Sequence, residues 1–500
     1  MHVIIGDVVF ADKPSGVTTH QSNAHLLGYV EYLQSHLGTS LHVVHRLDRE
    51  TTGAICFAKS KNTAAELFEF FNQRKIKKTY LFLTAQKSEK DEFTCSIPID
   101  EKPSETVFKR IKRNAFCEMW QAEPLTGRPH QIRKHAQASG ISILGDQTYQ
   151  GKPFPHLCLH SASLEIPGYP KWICPEPLFF KRMGLAMNEP VVKLLSSADR
   201  RQRLFDFLKN RDDCFRLFHF ENQMDLAIDK LGPQLFILEN ENLSDESYKS
   251  EFLMEAFCDA LNTPKIIRNR VDRGSANILG SASAGQDQQS QTWMAFENSS
   301  QYHFKSDSGM SAGLFLDQRL NRLKVRNLAE GKSVLNLFAY TCGFSLAAAL
   351  GKASKVVSVD TSQNYLDWGQ ENFKLNQCQG DFQFIKQDSM LYLKGARKHK
   401  SQFDLIIIDP PSFSRGNKNT KPFKIDKDLP ELIQNALACL KPKGQILVCT
   451  NFEKWSPEIF EKKILKSIPA KIKIQSLSGD WDFELPGTEP RMKSAILSLI

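Results

Sequence analysis

No stretch of this chain approaches the roughly 18 consecutive apolar residues that a membrane-crossing helix requires, so no helical membrane span is expected. The start passes from an apolar stretch into Asp12-Lys13-Pro14 without a basic leader or a small-residue cleavage site, and no export signal is expected. Eleven cysteines are present, yet none forms a C-x-x-C pair or sits at a Cys/His ligand spacing. That lack argues against a disulfide framework and a zinc site; structural thiols, no metal and a reducing cytoplasm are the expectation.

What is present is the composition of a globular protein, 41% hydrophobic and 24% charged, and 500 residues is too long for one ordinary core. The formal charge of +9 admits a polyanionic partner, because lysines and arginines that neutralise phosphates release counterions. The charge is clustered at Arg74-Lys75 and Lys77-Lys78, at Lys109-Arg110 and Lys112-Arg113, and at Arg415, Lys418, Lys421, Lys424 and Lys427. Taken alone, each run reads more readily as a solvated face than as a binding site.

Strand-length segments such as residues 53–58 and 79–84, broken by Lys13-Pro14-Ser15-Gly16 and Gly127-Arg128-Pro129, predict a mixed, sheet-rich domain over residues 1–190. A smaller region over 199–305 follows, with strands at Phe215-Arg216-Leu217-Phe218 and Leu235-Phe236-Ile237-Leu238. Its Gly-, Ser- and Gln-rich loop, residues 274–292, reads as mobile. Residues 306–500 then alternate strand and helix, with near-continuous Val/Ile/Leu strands at 333–338, 355–359, 382–385 and 403–408. That rhythm predicts a doubly wound parallel sheet.

The string His45-Arg46-Leu47-Asp48-Arg49-Glu50-Thr51-Thr52-Gly53 places a carboxylate between arginines just before a strand. Together with Lys13-Pro14-Ser15-Gly16, Lys78-Thr79-Tyr80, Gly127-Arg128-Pro129-His130-Gln131-Ile132-Arg133, Leu144-Gly145-Asp146 and Leu159-His160-Ser161-Ala162, it resembles the RluA-type pseudouridine synthases. The likeness covers residues 7–185. It implies isomerisation of uridine: the bond from C1′ to N1 breaks, the base turns, C5 joins C1′ and the C5 proton leaves. Such chemistry needs a carboxylate acting on the ribose and a base for the proton. By the resemblance Asp48 is that carboxylate and Arg133 the guanidinium that keeps it ionised. Tyr80 stacks near the uracil and is the candidate for proton removal, or else is a core tyrosine. Arg46 enters the RNA stack when the nucleotide flips, or else contacts phosphate. The basic residues Lys109, Arg110, Lys112 and Arg113 are the expected RNA contacts. Because the match begins so early, the small RNA-binding domain that many relatives carry ahead of it is not expected here.

Farther on, Val334-Leu335-Asn336-Leu337-Phe338-Ala339-Tyr340-Thr341-Cys342-Gly343 reads as a strand and tight loop entering a helix, where an open parallel sheet binds its nucleotide. Asp360, Asp388 and Asp409-Pro410-Pro411 end the next three strands. This set resembles class I methyltransferases, and with Gly313-Leu314-Phe315-Leu316-Asp317-Gln318-Arg319 it is similar to the ribosomal RNA group containing RlmI and RlmK. The resemblance implies S-adenosyl-L-methionine held by Asn336, Phe338, Tyr340, Thr341, Gly343, Asp360, Asp388, Asp409 and Pro410, with Asp409 and Asn451 at the acceptor. One departure is Cys342, where the group usually has glycine; positive φ there would strain a cysteine.

The expected architecture is therefore α/β and α+β multidomain: a mixed-sheet synthase domain, a small α+β accessory RNA-binding domain and a doubly wound, Rossmann-like methyltransferase domain. The expected function is bifunctional: uridine to pseudouridine, and methylation of a guanine nitrogen, N7 ahead of N2, in large-subunit ribosomal RNA, with transfer RNA possible for the first half. Two alternatives stand beside it. One is a pyrimidine C5 methyltransferase using Cys449 as nucleophile; the other is an RNA-binding assembly factor with one inactive half.

Overall fold

The computed structural model describes residues 2–20, 28–181, 183, 189–205, 213–221, 226–240, 257–258, 265–271, 283–284, 291–308, 311–414, 422–466, 468, 472–477, 479–480, 482–483 and 491–499. Nearly all of the 274–292 loop, and Arg415, Lys418 and Lys421, lie outside them. Two compact units emerge: residues 1–209 with 244–264, and residues 210–243 with 265–500.

The first unit is built on a mixed sheet of β1 (His2–Ile5), β2 (Val8–Lys13), β3 (His42–Val43), β4 (Thr52–Ala58), β5 (Lys77–Thr84), β6 (Glu92–Cys95), β7 (Thr106–Arg113), β8 (Glu118–Pro124), β9 (Leu159–Glu165) and β10 (Trp172–Ile173). The order is β1-β2-β4-β9-β5-β8-β7-β6, with β3 on β4 and β10 on β9. Every neighbour pair is antiparallel except β4 with β9, where Thr52 faces His160 and Gly53 faces Ser161. That junction admits only glycine: a Cβ on Gly53 would lie 2.1 Å from the Ser161 carbonyl, and its φ is +104°. The end of the Asp48 signature is thus locked into the middle of the sheet. Beneath it, Val8, Phe10, Ala54, Cys56, Ala58, Leu67, Ile76, Leu164 and Ile166 form a buried cluster.

The border expected between residues 190 and 199 falls inside the helix Glu189–Phe205. Arg203 near its end is buried and donates to both oxygens of buried Asp12 at 2.5 and 2.6 Å, and to Asp199 at 2.7 Å. Two charges out of water need such close pairing, and the pair fastens the helix to β2.

In the second unit, β11 (Cys214–His219), β12 (Leu226–Leu231), β13 (Gln234–Asn240), β14 (Lys265–Val271) and β15 (Ser283–Ala284) form one sheet, and β16 (Thr292–Glu297) and β17 (Ser300–Lys305) a hairpin. The larger sheet contains β18 (Ser333–Leu337), β19 (Lys355–Asp360), β20 (Asp381–Lys386), β21 (Phe403–Ile408), β24 (Leu440–Thr450), β25 (Ile472–Leu477) and β26 (Lys493–Leu499). A short pair, β22 (Phe413–Ser414) and β23 (Phe423–Lys424), follows β21. The larger order is β20-β19-β18-β21-β24-β26-β25, parallel through β24 and antiparallel at β26. The doubly wound α/β reading is borne out. The order reverses at β18, which has β19 on one side and β21 on the other; in open α/β sheets a ligand binds at such a switch, beyond the strand C-termini.

Candidate active sites

Asp48 sits in the loop before β4. Lys13 anchors that loop: its buried Nζ donates to the carbonyls of Pro14 (2.9 Å), Val17 (2.7 Å) and Arg49 (2.9 Å). Burial pushes the Lys13 amine down to about 7, against the nearby charges of Glu50 and Asp48. Thr19 exchanges hydrogen bonds with the backbone of Leu47, both at 3.1 Å. The sequence flagged the Lys-Pro-Ser-Gly string without a role; its lysine holds the Asp48 loop in place.

Arg133, on the helix Gln131–Ala138, donates to Asp48 at 3.2 Å and chelates Asp146 at 2.7 and 2.8 Å. Its guanidinium lies 4.9 Å from the Tyr149 ring centre. Asp146 is fully buried whereas the Asp48 side chain is 33% exposed, so one carboxylate orients the arginine and the other faces the cleft. His130, in the left-handed region at φ 53°, places Nε2 3.7 Å from the other Asp48 oxygen. Tyr80 on β5 is near enough for the Asp48 charge to act on its phenol. Burial pushes that phenol up to about 12, the Asp48 charge adds to the rise and a hydrogen bond with Ser161 opposes it. The phenol is therefore neutral in the neutral range, suited to stacking and hydrogen bonding rather than to taking a proton as phenolate. Asp48 thus pairs with Arg133 and lies within electrostatic reach of Tyr80. Asp146 and His130 stood in the quoted strings without an assigned part.

The expected RNA contacts fare differently. Lys109, Arg110, Lys112 and Arg113 all lie on β7. Arg110 pairs with Asp91, and Arg113 donates at 2.6 Å to Glu118, which is fully buried. Lys109 has Glu92 at 4.0 Å. Lys112 and Arg46 are exposed, without a carboxylate partner among the described residues. The two arginines are committed to cross-strand pairs, which leaves Lys112 and Arg46 as the freer cations.

At the switch point of the second unit, the turn after β18 carries positive φ at Phe338 (57°), Tyr340 (49°) and Cys342 (63°). Asp360 ends β19. Its oxygens accept from the backbone N–H of Tyr340 (2.8 Å) and Ser362 (2.9 Å), while burial pushes its pKa up against those bonds. A desolvated carboxylate with lone pairs to spare suits two ribose hydroxyls, so the donor set fits a nucleoside. Asp388 caps the helix Ser389–Lys398 by accepting from Leu391 N at 2.9 Å. Asn336 is 1% exposed and donates to Ser345 at 2.9 Å, while its Oδ1 has no hydrogen-bond partner; its side chain is committed to strand–helix packing rather than to an open face. Thr341 likewise donates to the Gly313 carbonyl, at 2.5 Å. Beyond β21, Asp409 accepts from Gln318 at 2.8 Å, and exposed Asn451 accepts from Ser412 at 3.4 Å. Gln318 was quoted in a string but not assigned.

Two family models match the chain: RNA pseudouridylate synthase over residues 7–138, and S-adenosylmethionine-dependent methyltransferase over residues 275–496. The chain joins a pseudouridine synthase domain to an S-adenosylmethionine-dependent methyltransferase domain. Similar curated proteins include the "Ribosomal RNA large subunit methyltransferase K/L" of Pseudoalteromonas atlantica, 33% identical over 51% of this chain and 37% of that protein. The protein of the same name in Alteromonas mediterranea is 34% identical over 48% and 34%. The chain thus spans about a third of the length of these relatives. Among solved structures, a protein provisionally described as a methyltransferase and complexed with SAH shares 25% identity at TM-score 0.53, over 69% of this chain and 88% of that one.

Within the methyltransferase domain, Cys342 does occupy the left-handed region, at a cost of about 1–2 kcal/mol for an L-residue. Gly369 on the facing helix makes room for it: a Cβ there would meet Cys342 Sγ at 2.4 Å and Cβ at 2.7 Å. Gly369→Ala is expected to destabilise this domain by about 1–3 kcal/mol through overpacking, and Cys342→Gly in the same chain to restore most of the loss. Urea unfolding of the single and double variants measures it; equal losses in both would show that the two positions are not coupled.

Cys449 is fully buried and accepts from Asn321 at 3.5 Å. Burial first, then the Asp409 charge, pushes its thiol well above the ordinary value. A thiol so placed packs as a small hydrophobe and does not present a thiolate to a pyrimidine ring.

Proposed function

We propose that this chain is a bifunctional RNA-modifying enzyme that forms pseudouridine at the Asp48 cleft and methylates a guanine nitrogen, N7 ahead of N2, beside Asp409, both in large-subunit ribosomal RNA. What supports the reading is the ion pair of Asp48 with Arg133, within electrostatic reach of Tyr80, in one unit, and the placing of Asp360 and Asp409 at the ends of the parallel strands β19 and β21 in the other.

In the synthase, Arg133 holds Asp48 aimed at the ribose while the flipped uridine is isomerised. Asp48 acts at the ribose C1′ side as the bond to N1 opens; C5 then joins C1′, the C5 proton leaves and N1 gains one. Tyr80, neutral, stacks on and orients the turning base. Arg46, exposed beside Asp48 in the chain, fills the space the nucleotide vacates.

In the methyltransferase, Asp360 would hold the ribose hydroxyls and the Phe338–Gly343 turn the remainder of the cofactor. S-adenosylmethionine, when bound, supplies a methyl group whose bond to sulfur breaks with the electron pair going to sulfur. Asp409, Pro410 and Asn451 orient the acceptor nitrogen. Positioning is the main demand on these residues, since a guanine nitrogen brings its own lone pair. The buried state of Cys449 supports this non-covalent route over the pyrimidine C5 alternative.

The test is to incubate the full chain with unmodified large-subunit ribosomal RNA and S-adenosylmethionine, then map both products by mass spectrometry. Pseudouridine and methylguanine at discrete positions are the expected result. A methylated pyrimidine, or the lack of either product, would overturn the corresponding half.

A further inference from the structure

We propose that the turn Phe315–Leu316–Asp317–Gln318 is the clamp for the acceptor base in the methyltransferase domain, with Phe315 as its stacking face and the Asp317 carboxylate reading the donor edge of guanine. The inference rests on the guanine reading above.

The segment lies between the donor loop and the Asp-Pro-Pro turn and touches both. On one side the Phe315 ring packs 5.1 Å from the ring of Tyr340, in the loop after β18. On the other, Gln318 donates to Asp409 at 2.8 Å and accepts from Asn321 at 2.6 Å. Phe315 is 43% exposed although it sits beside buried Leu314 and Leu316. An aromatic face left open at a catalytic cleft offers a stacking surface, and stacking on a base is favourable whatever the base. Asp317 follows two residues later in the short turn Leu316–Gln318, with no hydrogen bond to another side chain among the described residues.

The charges around it are accounted for. Asp317 feels Arg216 and Arg322 in its favour and Asp482 and Asp229 against it, and burial pushes it up to about 6. Burial and the Asp317 charge together push Asp409 up to about 7, opposed by Arg322 and the Gln318 hydrogen bond. Buried Cys449 feels both carboxylates. Asp317 directly precedes Gln318, which hydrogen-bonds Asp409. The Watson–Crick edge of guanine presents adjacent N–H donors at N1 and N2, which one carboxylate can accept together. With N1–H and N2–H at Asp317, N2 is engaged and the lone pair of N7 stays free, which favours N7 over N2 as the methyl acceptor.

Inosine, which lacks the N2 amine, separates the alternatives. The parent protein is expected to methylate RNA carrying inosine at the mapped position, but about 10- to 100-fold more slowly than the guanosine RNA. Asp317→Asn should slow the guanosine RNA by a similar factor and lose the preference for guanosine, with the affinity for S-adenosylmethionine by calorimetry unchanged. Phe315→Ala, at an exposed position, should raise KM for RNA about 10-fold with kcat little affected. If Asp317→Asn kept the parent's preference for guanosine, the clamp would be wrong. If inosine RNA were not methylated at all, N2 would be the acceptor and the clamp again wrong. A parent protein that methylates no guanine would instead sink the functional reading itself, seen on unmodified RNA before any variant is made.

Discussion

Replacing Asp48 with asparagine is expected to slow pseudouridine formation by at least about 10³-fold while leaving methyl transfer unchanged. The amide is the same size as the carboxylate but has neither the charge nor the nucleophilic oxygen that the ribose step needs. The local structure should survive, because Arg133 keeps its two bonds to buried Asp146. Asp146 in turn also accepts from the backbone N–H groups of Thr148 and Tyr149, at 3.2 and 3.1 Å. Arg133→Leu is the less informative change. It would leave Asp146 buried without its cation, which typically costs about 3–5 kcal/mol, so lost activity would mix chemistry with unfolding. Single-turnover assays of both modifications on one RNA, alongside thermal melts, decide the matter. A fall in methylation with Asp48→Asn would mean that the two sites are not independent.

The contrast between those two variants shows what the sequence could and could not reveal. Asp48, Tyr80 and Arg133 could be singled out because each stands in a string that resembles the synthase family. The group that makes Arg133 usable, Asp146, lies 13 residues farther on and was visible only as part of a string. Arg110 and Arg113 looked like RNA contacts because a charge run does not reveal its cross-strand neighbours; β8 brings Glu118 opposite Arg113. The helix that crosses the border expected near residue 190 was hidden for the same reason, since the Arg203–Asp12 pair that fastens it joins residues 191 positions apart. In the second unit the strand–helix rhythm was legible from residue 333 to 408, because parallel strands covered on both faces have to be apolar. Cys342 looked like a defect when read alone. Only the facing Gly369 shows how the fold accommodates it.

Asp409→Ala is expected to do the reverse of the Asp48 change, cutting methyl transfer by about 10²–10³-fold with pseudouridine formation intact. Beyond β21 the side chain is held by Gln318, and burial with the Asp317 charge raises it to about 7. If the protonated carboxyl donates to O6 of the acceptor, activity is present below that pKa and falls as pH rises through it. Asp409→Asn supplies an N–H donor with no charge to titrate, so it should retain more activity than the alanine variant and flatten the alkaline fall. Stability follows the same sign. A carboxyl whose folded pKa lies above its unfolded value favours the folded state at low pH, and that advantage is lost as pH rises through the folded pKa. Relative to the parent, Asp409→Asn should therefore melt at a higher temperature above neutrality than below it. Matched melts and pH–rate profiles test both statements together. An alkaline limb that persists in the asparagine variant would assign the titration to another group, with Asp317 the first to examine.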